Sequence, residues 1–230
     1  MAEPQVSPGL MTPTEGLAPA GAPALPAAAP SPWRQMLRVA WLSIALGLLL
    51  EAVLVLYAVA SGQASRPQPF LTDLVQKVSW GFIVCLGVAF GTTASKAPEA
   101  KAGLLGLVSA PLGFLVARSL HQSLNAALGV AGTVGGISPF LIGGLKGVQY
   151  ALFGALLAWL AQQTWGKLGA HLAAGLAFGV TFGLTIVLMM EVGAPAPTPP
   201  VGLVSRGLNE LIFPMGCAVV VYASSVLGKR

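Results

Sequence analysis

The sequence predicts an all-α integral membrane protein: six transmembrane helices in three tandem, pseudo-repeated hairpins, preceded by a disordered N-terminal tail. Three observations carry that prediction. First, 8% of the 230 residues are charged while 55% are hydrophobic, against roughly a quarter charged in ordinary soluble domains. Second, the mean hydropathy is +0.80, which suits a chain dissolved largely in hydrocarbon, where a buried ion is costly. Third, six apolar runs lie at residues 36–60, 71–94, 102–125, 140–163, 168–190 and 205–226. Each reaches the roughly 20 residues that a helix needs to cross a bilayer.

Before the first run, residues 1–32 hold eight prolines, two glutamates and no Lys or Arg. Proline excludes a regular helix, and the many alanines supply too little apolar area for a core. This segment is therefore expected to be a disordered cytoplasmic tail, with residues 33–230 forming one six-helix transmembrane domain. It lacks the positive start of a secretory signal, because its first basic neighbour, Arg34, comes after it. The first span then reads as an uncleaved anchor.

The first and second runs are joined by Ser61–Pro69, the third and fourth by Gly129–Pro139, and the fifth and sixth by Gly193–Gly202. These Pro/Gly-rich loops close hairpins without helical structure. The links Ala94–Lys101 and Gln162–Leu168 are short, which predicts antiparallel neighbours. Arg34, Arg38, Lys96, Lys101, Lys167, Lys229 and Arg230 fall on the side of the termini, against Arg66 and Arg206 on the other. By the positive-inside rule both termini are cytoplasmic, and the protein is expected in a bacterial inner membrane or a related internal membrane.

The hairpins share more than hydropathy. Pro69-Phe70-Leu71 and Pro139-Phe140-Leu141 stand 70 positions apart, as do Trp80 and Tyr150, and Leu208 and Phe213 align with Leu145 and Tyr150. Parallel repeats of this kind would enclose a pseudo-threefold centre, and membrane repeats commonly place a binding site at their interface. Trp80 and Tyr150 are expected in helix–helix packing. Gly87, Gly91, Gly103, Gly106 and Gly113, with Gly175, Gly179 and Gly183, recur at helical spacing and let backbones approach closely. They predict packing within the bundle, or a seam to a second copy or a membrane partner. Pro111 and Pro214 interrupt spans, so each frees a carbonyl that must face protein or a wet cavity. Cys85 and Cys217 lie in apolar spans and read as packing residues.

Polar residues inside spans are the informative ones. Glu51 and Arg118 lie at similar depth, about 22 and about 24 Å from the inner ends of the first and third helices, and an ion pair between them is expected. The competing expectation has Arg118 reaching for the outer headgroups and Glu51 protonated. Nearer the outer surface, the repeat brings Gln76, Lys146 and Asn209 to matching positions, followed by Lys77, Gly147 and Glu210. Ser79 and Gln149 sit within about one turn of them, and His121 and Gln122 approach the same depth. The candidate substrate-binding set is therefore Glu51, Gln76, Lys77, Arg118, Lys146, Gln149, Asn209 and Glu210. The competing reading of this layer is contact with headgroups and loop carbonyls. His121 and His171 read as interfacial hydrogen-bonders.

Net charge +5 comes without a basic run, so a nucleic-acid partner is not expected. No phosphate-binding Gly-Lys-Ser/Thr loop, Cys-pair metal motif or His-Glu-x-x-His is present, so neither an enzyme nor a cofactor or metal is expected. Three tandem hairpins resemble mitochondrial carriers in number alone, because the charged Pro-x-Asp/Glu-x-x-Lys/Arg signature is missing from the odd helices. The size similarly resembles substrate-binding subunits of vitamin uptake transporters, without a shared motif. Two functions fit. A small transporter or channel-like protein predicts polar side chains converging on one cavity. A non-transporting subunit or assembly factor predicts a dry, filled centre and an exposed groove of small residues.

Overall fold

The computed structural model describes residues 32–63, 67–92, 96–130 and 137–227. Within them the chain is helical: α1 Pro32–Ala60, α2 Pro67–Gly91, α3 Pro98–Ala127, α4 Pro139–Leu160, α5 Leu168–Phe178, a π-helical turn Gly179–Gly183, α6 Leu184–Val192 and α7 Pro200–Leu227. The segments α5, π turn and α6 form one continuous rod, so six helices are long and apolar enough to span a bilayer. The chain is a multi-pass integral membrane protein. Of the expected tail, all but Pro32 lies outside the described residues, as do Arg66, Lys229 and Arg230.

Proline sets the helix starts. Pro32, Pro67, Pro98, Pro139 and Pro200 each open a helix, where a missing N–H costs nothing and the fixed φ is already helical. This corrects the expected loops: Pro69, Pro139 and Gly202 belong to helices, and the connections are shorter than composition suggested. Glycine sets two of the helix ends. Beyond α1, Gly62 has φ 75°, and beyond α3, Gly129 has φ 66°. In both turns the next residue's N–H reaches back, Gln63 to the Ala58 carbonyl at 3.0 Å and Val130 to the Asn125 carbonyl at 2.9 Å. This left-handed closure satisfies carbonyls that the helix leaves free.

Packing order follows the chain. The α1–α2, α3–α4 and α5–α7 hairpins form, α3 also packs on α2, α4 touches α5, and α1 closes the ring against α7. The second members of the hairpins, α2, α4 and α7, meet inside the ring. Their meeting point carries the core, with Val84, Cys85, Val88, Tyr150, Phe153, Leu157, Phe213 and Cys217 all buried. Outward-facing Leu48, Leu56, Phe140, Leu152 and Leu188 are exposed, as a lipid-facing surface requires.

The glycine stripes are occupied within the bundle. Gly87 faces Ser109, Gly91 faces Ala102, and Gly175 lies on the Pro214–Met215 backbone. The tightest crossing is α3 on α4, where a Cβ at Gly106 would run into the Tyr150 carbonyl. Backbone cannot yield as a flexible side chain can. Gly106→Ala is therefore expected to lower stability by about 2 kcal/mol, within the range for overpacking. Unfolding of the purified variant in mild detergent checks this, and a wild-type midpoint would contradict it.

Two helical irregularities face one another. The π turn packs on α7, with Gly179 and Gly183 against the Glu210–Leu211 stretch, where an added Cβ would come within 2.8 Å of the Leu211 carbonyl and the Glu210 Cβ respectively. One turn on, Pro214 leaves the Glu210 carbonyl without its helical donor. Within the π turn the Thr181 hydroxyl donates to the Ala177 carbonyl at 2.8 Å, which satisfies a group that lipid could not.

Candidate functional site

A cavity of about 550 Å³ opens at the end of the bundle that carries the connections after α1, α3 and α6. Its wall is built from helical faces. On α2, Phe70, Asp73, Gln76, Lys77 and Trp80 recur at intervals of three and four, and on α7, Ser205, Arg206, Asn209 and Glu210 do the same. From α1 come Glu51, Leu54, Val55 and Ala58, with Gln63 added by the glycine turn that ends that helix. α4 supplies Lys146, and α6 supplies Val187 and Met190. Among the described residues three acids and three bases line it, so their formal charges cancel.

Ion pairs organise the charge. Lys146 Nζ donates to both Glu210 oxygens, at 2.9 and 2.8 Å, and sits 5.1 Å from the centre of the Trp80 ring. That pair is closed: its carboxylate takes two directed donors and its ammonium rests on an aromatic face. The second pair differs. Lys77 Nζ lies 2.5 Å from Glu51 Oε2, but out of line for a hydrogen bond, so this buried oxygen has charge compensation without a directed donor. Glu51 is 3% exposed. At the rim, Asp73 Oδ1 is 3.0 Å from His121 Nε2, and Asn125 Nδ2 donates to His121 Nδ1 at 3.3 Å. These contacts fit a ring whose Nε2 carries the proton and donates to the carboxylate.

The floor is aromatic. Trp80, Tyr150 and Phe213 meet with ring centres 5.6–6.2 Å apart, and Phe114 adds an edge contact to Trp80 at 6.5 Å. These three residues are the ones that the hairpin alignment put in register, and one turn above them Gln76, Lys146 and Asn209 all reach the cavity. Below the rings the packing is apolar and continuous with the core.

Six of the eight candidate residues, Glu51, Gln76, Lys77, Lys146, Asn209 and Glu210, line this one space. Arg118 and Gln149 do not. Gln149 is 1% exposed, and both of its amide atoms lack a partner among the described residues. The expected Glu51–Arg118 pair is not formed, because α3 packs on α2 and α4 while α1 packs on α2 and α7. α2 stands between them, and its Lys77 takes the carboxylate instead.

Asp73, Arg206, Ser205 and Gln63 reach the cavity without having been among the candidate site residues. The first three continue the helical faces of Gln76–Lys77 and Asn209–Glu210 by one turn outward, and extending that period would have found them. Gln63 depends on the glycine turn after α1, which hydropathy does not reveal. His171 is buried near the opposite end, its Nδ1 3.1 Å from the Lys167 carbonyl and its ring against Tyr222. No family model matches the chain, and comparison with curated proteins and with solved structures finds none similar to it.

Proposed function

We propose that this protein is a small transporter that takes a polar solute into the cavity from the outer side of its membrane, and that it is not an enzyme. The observation that carries the reading is convergence: charged and amide side chains from α1, α2, α4 and α7 turn into one space above an apolar core. Groups so costly in hydrocarbon are retained where they face a substrate path. On this reading the three hairpins are copies of one unit, with Gln76, Lys146 and Asn209 as equivalent wall positions one turn above the aromatic floor. The basic flanks set the termini in the cytoplasm. Passage requires the aromatic floor to part, and the π turn packed on the Glu210–Leu211 stretch supplies the hinge, since there α7 lacks the helical bond that Pro214 removes from the Glu210 carbonyl.

Asn209→Cys tests the cavity and the orientation together. Cys85 and Cys217 are buried, so background labelling is low. A membrane-impermeant thiol reagent added outside intact cells is expected to modify Cys at 209 but not at Val88, which lies in the core. Absence of labelling at 209 would sink the reading. The packed lower half of the bundle favours a second reading, a non-transporting membrane subunit whose cavity only receives its ligand. Solute uptake by reconstituted vesicles separates the two.

A further inference from the structure

We infer that the cavity takes a zwitterion, a small molecule carrying one ammonium and one carboxylate on an apolar or aromatic frame. The inference rests on the solute-cavity reading above and adds the chemical class of the solute. Glu51 is the starting point. Its carboxylate is almost wholly buried and faces the cavity, and one oxygen has no directed hydrogen-bond donor. A buried carboxylate in that state is short of a donor, and a ligand ammonium supplies up to three. Taking Glu51 away from Lys77 would leave an uncompensated buried cation, since the Lys77 side chain is 14% exposed. The same ligand must therefore bring an anion to Lys77.

The rest of the wall agrees. Lys146 and Glu210 satisfy each other and present no open charge, and the acids and bases lining the cavity among the described residues are equal in number, so a ligand of net charge would leave a charge uncompensated there. A zwitterion leaves the balanced wall balanced. Gln76 and Asn209 have no partner among the described residues, so their amides can complete the hydrogen bonding of either charged end. Leu54, Val55, Val187 and Met190 line the space beside Glu51 with apolar surface, and Phe70 and Trp80 add aromatic faces for the ligand frame.

The test uses the intact purified protein in mild detergent and follows its thermal unfolding midpoint. The probes are leucine, phenylalanine, glutamine and γ-aminobutyrate. Beside them run the single-charge isosteres isoamylamine, 4-methylpentanoate, 2-phenylethylamine and 3-phenylpropanoate. At least one zwitterion is expected to raise the midpoint by about 5 °C at a hundredfold excess over its Kd, while its amine and acid isosteres leave it unmoved. Glu51→Gln is expected to abolish the shift. An equal shift from an amine or an acid alone overturns the inference, as does a flat response to every zwitterion. If 209 still labels in either of those cases, the cavity reading stands and the ligand class falls; if 209 is inert, both fall. The isostere series needs no variant, so it decides the matter on the unaltered chain even where Glu51→Gln fails to fold.

Discussion

Glu210→Ala is expected to destabilise the protein by about 3 kcal/mol, the lower end of the range for stranding a buried charge. Lys146 donates to both Glu210 oxygens from a side chain that is 9% exposed. Without Glu210 its ammonium keeps the Trp80 face and loses its counter-ion in a medium that solvates it poorly. The cavity opens to water on one side, which is why the lower end applies. Replacing both Lys146 and Glu210 by Met removes the charges together and is expected to cost much less, because no ion is left stranded. Unfolding free energies in mixed micelles measure both. A single variant no less stable than the double would show that the pair is solvated rather than buried.

Trp80→Ala is expected to cost about 3 kcal/mol as well, for a different reason. The indole touches Phe114, Tyr150 and Phe213, and truncation leaves a void between α2, α4 and α7. Core aromatic-to-alanine changes cost about 3–5 kcal/mol in water-soluble proteins. In lipid the hydrophobic transfer contribution between helices is absent and the lost packing remains, which sets the lower figure. The same change removes the floor. Cys217 follows Phe213 by one turn and is fully buried, so it is expected to resist thiol reagents in the unaltered protein and to react once water passes Trp80. Trp80→Phe should recover most of the stability and keep Cys217 protected. Unchanged Cys217 reactivity in Trp80→Ala would mean that the seal lies elsewhere.

The hinge and the floor are linked through one residue. Glu210 holds Lys146 on the cavity side while its backbone carries the contact with Gly179 and Gly183. A solute seated against the Glu210 side chain would therefore act on the segment where α7 and the π turn are least regular. On the transport reading proposed above, alternating access would use such a place, where a small change at the site meets a backbone able to bend.

The number of crossings and the level of the polar layer were legible in the sequence. Apolar length sets the first, because hydrocarbon thickness is a ruler that any helix must match. Helical rise sets the second, since depth grows steadily with residue number, and Gln76, Lys146 and Asn209, placed at similar depth, line one cavity. Proline marks the helix starts as well, once each is read as a first-turn residue rather than a loop residue. Azimuth came only with packing. Equal depth on α1 and α3 suggested that Glu51 meets Arg118, but the ring order puts α2 between them, and Lys77 is the partner. Gln149, one turn from Lys146, faces away from the cavity for the same reason. Rotation about a helix axis leaves hydropathy and depth unchanged; it is chosen by close backbone contacts such as Gly106 on Tyr150 and Gly179 on Leu211, which form only when the helices pack.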